Sequence, residues 1–459
     1  MTHHVIVGAG PVGTNAIETI RQYDEDSQIT LICDEPAHSR MALPYWLSGQ
    51  FPKKHTFTAD EDYLKNLNVD AKLGTRVQSV DPPNNTIATS DGETISYDNL
   101  LIATGSRPRV LSISGADLPG VQSLWSLEDT GKLIGDLEKK SNPHVAMIGA
   151  GFIGCIMLNA MHKRGWKLTV LERESHILPQ MLDSDSAAMV EHWLGQKGVA
   201  VSCGATVQEI QLPETDRYVV KLEDGSEVEA DALIIATGVQ ANVEFLDGSG
   251  IEIDQGILVN EFLQTNFPNI FAGGDVAQGP NLLGGSNEIH AIQPTAVDHG
   301  RIAGANMAGE QIVYPGSLSM NILDVCGLQN ASFGNWNAAS AEATTICNPD
   351  HHIYRQLLWT GDEITGAILV GEASNLGMLQ DLGMIKGIIQ TRTKLGQWKT
   401  YLQENPFDVR KPFVGCNVAA KLTQTTLLGR PAKPRDYRFG NPKVETPKTP
   451  SHSLFMNTK

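Results

Sequence analysis

The chain has 459 residues, 41% hydrophobic and 19% charged, with 44 glycines and a formal charge of −17. That length exceeds one ordinary hydrophobic core, and the apolar content excludes global disorder, so two or three domains are expected. An acidic surface also argues against nucleic-acid binding.

The first element expected is a buried strand, His4-Val-Ile-Val, running into Gly8-Ala-Gly10-Pro11-Val12-Gly13 and then a helix. Gly8 suits a tight turn, Gly10 lets backbone approach a pyrophosphate, and Gly13 lets helix and strand pack closely. A second apolar strand, Ile29-Thr-Leu-Ile-Cys33, ends in Asp34-Glu35. A carboxylate at that spacing can accept hydrogen bonds from ribose hydroxyls. Asp91-Gly92 marks a hairpin, and Leu100-Leu-Ile-Ala103-Thr104-Gly105 closes the unit with another buried strand.

The same plan then repeats. His144-Val-Ala-Met-Ile precedes Gly149-Ala-Gly151-Phe152-Ile153-Gly154, a strand at 168–171 ends in Glu172-Arg173, and Asp224-Gly225 marks a hairpin. Leu233-Ile-Ile-Ala-Thr237-Gly238 closes the second copy, the three motifs being offset by 141, 133 and 133 residues. Two copies of one supersecondary plan are therefore present. Residues 145–161 form the longest uncharged apolar stretch, too short for a membrane span. No secretory leader is evident, and six cysteines with neither a C-x-x-C nor a metal spacing suggest reduced thiols in a cytoplasmic setting.

After the second copy comes Thr265-Asn-Phe-Pro-Asn-Ile-Phe-Ala-Gly273-Gly274-Asp275, and then a helix expected to begin near Gln293-Pro294-Thr295. With this motif in place the sequence resembles the pyridine nucleotide-disulfide oxidoreductases, flavoproteins with two dinucleotide-binding domains, over about residues 3–420. The resemblance implies an α/β fold: two Rossmann-like domains, one for FAD and one for NAD, plus a C-terminal α+β dimerisation domain. The boundaries expected are 1–112 and 240–313 for the discontinuous FAD domain, 113–239 for NAD(H), 314–420 for the interface domain, and a basic extended tail at 421–459. A long amphipathic stretch is expected at 378–391.

By that resemblance, Gly8, Gly10, Pro11, Val12, Gly13, Asp34, Glu35, Arg40, Pro44, Val77, Ala103, Thr104, Gly105, Gly274, Asp275, Pro294 and Thr295 hold FAD. Gly149, Gly151, Phe152, Ile153, Gly154, Glu172, Arg173 and Gly238 hold the nicotinamide nucleotide. Glu172 favours NADH by repelling a 2′-phosphate, while the adjacent Arg173 pulls the other way.

Thiol-dependent relatives carry a cysteine over the flavin, but in Arg40-Met41-Ala42-Leu43-Pro44-Tyr45 the matching position is Met41, which cannot form a thiolate. The resemblance therefore points to the ferredoxin, rubredoxin and nitrite reductase flavoprotein branch. Its lysine–glutamate pair near the flavin is replaced by Tyr45 and Ile156. The implied activity is hydride transfer from NADH to flavin N5, followed by delivery to an acceptor such as a small redox protein. A thiol-dependent NADH oxidase or disulfide reductase and a flavin-containing, NADH-responsive binding or electron-transfer subunit of a larger complex remain as alternatives. The branch also implies a homodimer. His351-His352 reads as a solvated turn. The tail carries +6, leaving −23 on the rest, and is a candidate docking arm for an acidic partner.

Overall fold

The computed structural model describes residues 1–214, 217–339 and 341–424. Two five-stranded parallel sheets dominate it. The first has the spatial order Ile270–Ala272, Asn99–Ile102, His3–Val7, Gln28–Cys33 and Val69–Leu73. The second runs Val121–Gln122, Ala232–Ile235, His144–Ile148, Lys167–Leu171 and Ala200–Ser202. Unbroken apolar runs suit the central strands, since a parallel sheet is covered on both faces. Val5, Ile6, Val145 and Ala146 are fully buried.

Each parallel sheet is accompanied by a three-stranded antiparallel sheet. Hairpins turn at Gly92 and Gly225, whose φ values of +87° and +84° belong to glycine. The two copies differ in one respect. The outer strand beside Asn99–Ile102 comes from residues 270–272, after the second copy, whereas its counterpart beside Ala232–Ile235 comes from residues 121–122, before it.

The two passages of chain between the sheets lie together. Ser106–Pro108 pairs antiparallel with Val239–Ala241, directly after Gly105 and Gly238, which have φ values of +65° and +105°. The pairing of these two passages to each other is a long-range contact that the sequence does not disclose.

Beyond the helix Gln293–Met307 the chain forms a five-stranded antiparallel sheet in the order Met320–Val325, Leu328–Gly334, Glu363–Glu372, Ile353–Thr360, Glu342–Asn348. Its faces alternate with period two. Leu323, Val325, Ile368 and Val370 pack into the core shared with the helix Phe152–Lys163, while Phe333, Leu357, Ala367 and Leu369 pack into a separate core with the helix Leu376–Gln390. Asp183 locks the first contact: Oδ1 caps the helix Ser184–Gln196 by accepting from Ser186 N–H, and Oδ2 accepts from the Tyr354 hydroxyl and from Gln356.

A last helix, Val418–Gln424, runs past the boundary expected at 420, and Lys421 donates to Thr393 Oγ1 at 3.1 Å. The rest of the basic tail, 425–459, lies outside the described residues. Among the described residues no helix is long and apolar enough to cross a membrane.

Candidate functional site

The two glycine turns have the same division of labour. Gly8 and Gly149 have φ values of +111° and +101°, and a Cβ on them would lie 2.2 Å from Ala103 O and 2.4 Å from Ala236 O. A Cβ on Gly13 or Gly154 would lie 2.0 or 2.7 Å from the carbonyl of Gly8 or Gly149. Gly10 and Gly151 differ, with nothing within 4 Å of the added atom. Four glycines are thus demanded by the protein's own packing, and the middle one of each turn faces open space at a helix N-terminus. This is the arrangement in which backbone N–H groups receive a phosphate.

Around the first turn, small residues bring distant segments together. Pro11 occupies the first turn of the helix Pro11–Tyr23, and Val12 is buried against Gly273 and Gly274, where an added Cβ would lie 3.0 and 2.7 Å from its methyls. The helix Gln293–Met307 crosses the Pro11–Tyr23 helix at Gly300 and Gly304, whose added Cβ atoms would meet Val12 O and Ala16 O at 2.4 and 2.8 Å. Asp275 is thereby held beside the glycine turn.

Asp275 begins a chain of contacts. Ser106 Oγ donates to Asp275 Oδ2 at 2.7 Å, Trp125 Nε1 donates to Ser106 O at 3.0 Å, and the Arg40 guanidinium lies 4.8 Å above the Trp125 ring. Gly105 is alongside, an added Cβ there lying 3.5 Å from Arg40 Nη1. Thr104 and Asn242 exchange hydrogen bonds, Oγ1 to Asn242 O at 3.0 Å and Nδ2 to Thr104 O at 2.8 Å. Arg40 Nε is buried with no partner among the described residues. An unmatched buried donor costs about 1–3 kcal/mol, so this site suits a ligand that brings acceptors. Thr295 is buried at the start of its helix with Pro294 exposed beside it, Ala103 and Val77 are buried, and Pro44 is half-buried.

Behind Asp275, His299 Nδ1 accepts the Gly274 N–H at 3.1 Å and its ring meets Tyr314 edge-on at 4.8 Å. Burial pushes its pKa down to about 3, so the neutral acceptor form is the one that holds the Gly273-Gly274-Asp275 turn. Sequence reading misses His299, Ser106, Trp125 and Asn242. Only His299 carries a signal, standing one helical turn after Thr295.

The strand ends differ between the copies. Gly8 N–H donates to Ile32 O and Gly149 N–H to Leu171 O, both at 2.8 Å, so the following residues, Cys33 and Glu172, occupy equivalent positions. Glu172 is buried; its Oε2 accepts from Ala150 N–H at 2.6 Å and its Oε1 from Glu174 N–H at 2.9 Å. In the first copy Cys33 brings no carboxylate to this position, and its Sγ–H donates to Glu35 O at 2.7 Å. Asp34 is exposed and paired with Arg76 at 2.7 Å, and Glu35 lies 3.5 Å from His38. Matching the acidic residues at the strand ends aligns Asp34-Glu35 with Glu172, but backbone register aligns Cys33. Arg173 is exposed and bonded to Glu174, Phe152 and Ile153 are half-buried at the helix start, and Gly238 sits beside the Arg109 side chain.

Every cysteine has its thiol pKa raised, with burial the leading cause; Cys203 and Cys326 are pushed up to about 12 and Cys155 further. None has the electropositive surroundings that would generate a thiolate. Met41 is exposed. Tyr45 is half exposed and stacked on Phe51 at 5.7 Å, while Ile156 joins the apolar cluster containing Leu43, Leu47 and Trp46. In the His351-His352 turn, His351 is exposed, whereas His352 turns inward with its ring 4.8 Å edge-on to Trp193. A solvated pair is therefore only half right, because the turn docks against the second domain.

The pyridine nucleotide-disulphide oxidoreductase model matches residues 2–300, and the rubredoxin NAD+ reductase C-terminal domain model matches 320–384. An NADH oxidase of Methanocaldococcus jannaschii is 34% identical over 324 residues, covering 68% of this chain and 71% of that protein. The epsilon subunit of an NADH-dependent phenylglyoxylate dehydrogenase from Aromatoleum evansii is 29% identical over 414 residues, 89% of this chain and 96% of the relative. The solved NAD-dependent persulfide reductase from A. fulgidus superposes with a TM-score of 0.80 at 28% identity, covering 86% of this chain and 78% of that one.

Proposed function

The chain belongs to the pyridine nucleotide-disulphide oxidoreductase family and is an NAD(P)H-dependent flavoprotein oxidoreductase, and from that premise we propose that it is an NADH:acceptor reductase that passes electrons to a redox protein without a cysteine nucleophile. The observation that carries this reading is the pairing of two glycine turns with open middle positions to a single polar chain at Asp275, in a protein whose flavin-side segment holds Met41 in place of a thiol.

FAD fits the first turn. Gly10 and the helix N-terminus would take its pyrophosphate, Asp275 its ribitol chain, and Arg40 and Thr295 would border the ring system. NADH fits the second: Gly151 would admit its pyrophosphate and Glu172 would face its ribose. Bound flavin supplies hydride acceptance and one-electron release. The protein's part is to orient both nucleotides, to keep Asp275 fixed through Ser106 and His299, and to exclude water with the Arg40–Trp125 contact. The third domain is proposed as the dimer interface. A role as an electron-transfer subunit of a larger assembly is favoured by the near full-length likeness to the epsilon subunit.

Anaerobic titration tests the proposal. The purified protein is expected to be yellow and to bleach with NADH faster than with NADPH, and iodoacetamide is expected to leave turnover unchanged. A colourless protein that takes up no FAD, or one inactivated by alkylation, would refute it.

Glu172→Gln gives a sharper test. One of its two backbone N–H partners would then face an amide N–H, so a stability loss of about 1–3 kcal/mol is expected, together with a higher NADPH-to-NADH rate ratio. Thermal melting and flavin-reduction rates measure the two effects separately, and an unchanged rate ratio would remove Glu172 from nucleotide selection.

A further inference from the structure

The strand Gln28–Cys33 is tied to the first glycine turn by the bond from Gly8 N–H to Ile32 O, and the two carboxylates that follow it have different fates. Asp34 is held by Arg76, which donates to it from Nε at 3.1 Å and from Nη2 at 2.7 Å. Glu35 instead faces the His38 ring, its Oε2 3.5 Å from Nε2. His38 is fixed in place. Ser39 N–H donates to Thr56 O at 2.8 Å and Thr58 N–H to Ala37 O at 3.0 Å, so the backbone on either side of His38 is pinned to the segment 56–58.

His38 Nδ1 lies 2.9 Å from Pro36 O, and because a carbonyl can only accept, Nδ1 carries the ring proton. Burial is the leading cause of a lowered His38 pKa; Pro36 and Glu35 pull the other way, while Arg40 and Lys53 add to the lowering. The ring is therefore neutral near pH 7, and Nε2 is a bare lone pair. That atom is buried with no hydrogen-bond partner among the described residues, in a side chain only 5% exposed. An ionised carboxylate also only accepts. Two acceptors thus face each other with no donor between them, which is destabilising unless a ligand supplies one.

We propose that Glu35 and His38 together receive the two hydroxyls of the adenosine ribose of FAD, the carboxylate accepting from one and His38 Nε2 from the other. The inference rests on the reading of the first turn as the FAD site and deepens it. A carboxylate at this spacing is expected, whereas its histidine partner is a binding residue that no motif discloses. Adjacent hydroxyls are the pair of donors that two facing acceptors require. A ribose that lacks either hydroxyl, or carries a phosphate there, leaves an acceptor unmatched, so the pair reads the free diol.

The test equilibrates the full-length flavin-loaded protein with FAD in separate competitions against two analogues, 2′-deoxy and 3′-deoxy in the adenosine ribose, and identifies the retained flavin by mass. The unmodified protein is expected to prefer FAD to each analogue about tenfold. His38→Asn keeps a donor for Pro36 O and removes the Nε2 acceptor; it is expected to lose the preference against at least one analogue. His38→Gln, whose amide oxygen reaches the Nε2 position, is expected to keep it. Nitrogen-15 NMR of the histidine-labelled, flavin-loaded protein needs no variant, and is expected to find the His38 proton on Nδ1. Equal retention of FAD and both analogues, a preference that His38→Asn leaves unchanged, or a proton on Nε2 overturns the proposal while the reading of the FAD site stands. A protein that retains no flavin of any kind overturns that reading and the proposal with it.

Discussion

Gly10→Val is expected to yield a folded protein that cannot retain flavin, while Gly8→Ala is expected to disrupt folding of the first domain. The two positions are two residues apart and differ in what surrounds them. Gly10 has φ −73°, open to any residue, and nothing stands within 4 Å of a Cβ there. A valine would therefore occupy only the space a pyrophosphate needs. Gly8 combines φ +111° with an added Cβ 2.2 Å from the Ala103 carbonyl, and Ala103 belongs to the buried end of the neighbouring strand. Positive φ costs a non-glycine residue about 1–3 kcal/mol before the clash is counted, and the clash is with backbone that cannot rotate away. Far-ultraviolet circular dichroism with melting reports the fold, and the ratio of flavin to protein absorbance reports occupancy. A Gly10→Val protein with undiminished flavin would refute the assignment of the first turn.

Acidification is expected to destabilise the protein well above the carboxylate range. Burial pushes the pKa of His4 down to about 4 and that of His299 to about 3, and lowers His144 and His290 as well. The native state thus holds these rings neutral, whereas the unfolded chain binds protons at ordinary values near 6.5. Because the folded values are depressed, this contribution is complete above about pH 6.5 and is lost as pH falls toward the folded values. For His4 and His299 the loss amounts to about 2–3 kcal/mol each by pH 4.5. Asp298 and Asp381, raised by burial, act in the opposite sense. Melting temperature followed from pH 7.5 to 4.5 should fall, and less steeply in His299→Asn. Parallel curves would show that His299 is not protonated on unfolding.

The glycine turns are legible from sequence for the same reason that makes them vulnerable to substitution: Gly8 and Gly149 hold conformations, and Gly13 and Gly154 close approaches, that no side chain permits. The duplicated strands are legible because their apolar runs are continuous. What escapes is whatever depends on register or distance. Cys33 rather than Asp34 matches Glu172 because a backbone bond from Gly8 to Ile32 sets the alignment, and a match of acidic residue types cannot see it. Ser106 meets Asp275 across 169 residues, and Trp125 beneath Arg40 has no motif at all. The inward turn of His352 likewise depends on Trp193 of another domain.

The placement of Ile270–Ala272 at the edge of the first sheet has a consequence for the order in which the molecule is made. A nascent chain that has just delivered its amino-terminal strands to the ribosome exit still lacks their outer neighbour and the aspartate that follows it, and must translate the whole intervening unit before either emerges. That unit, with all five of its parallel strands between residues 121 and 235, can close meanwhile. The later-encoded fold is therefore free to finish first, leaving the earlier one to be sealed from behind.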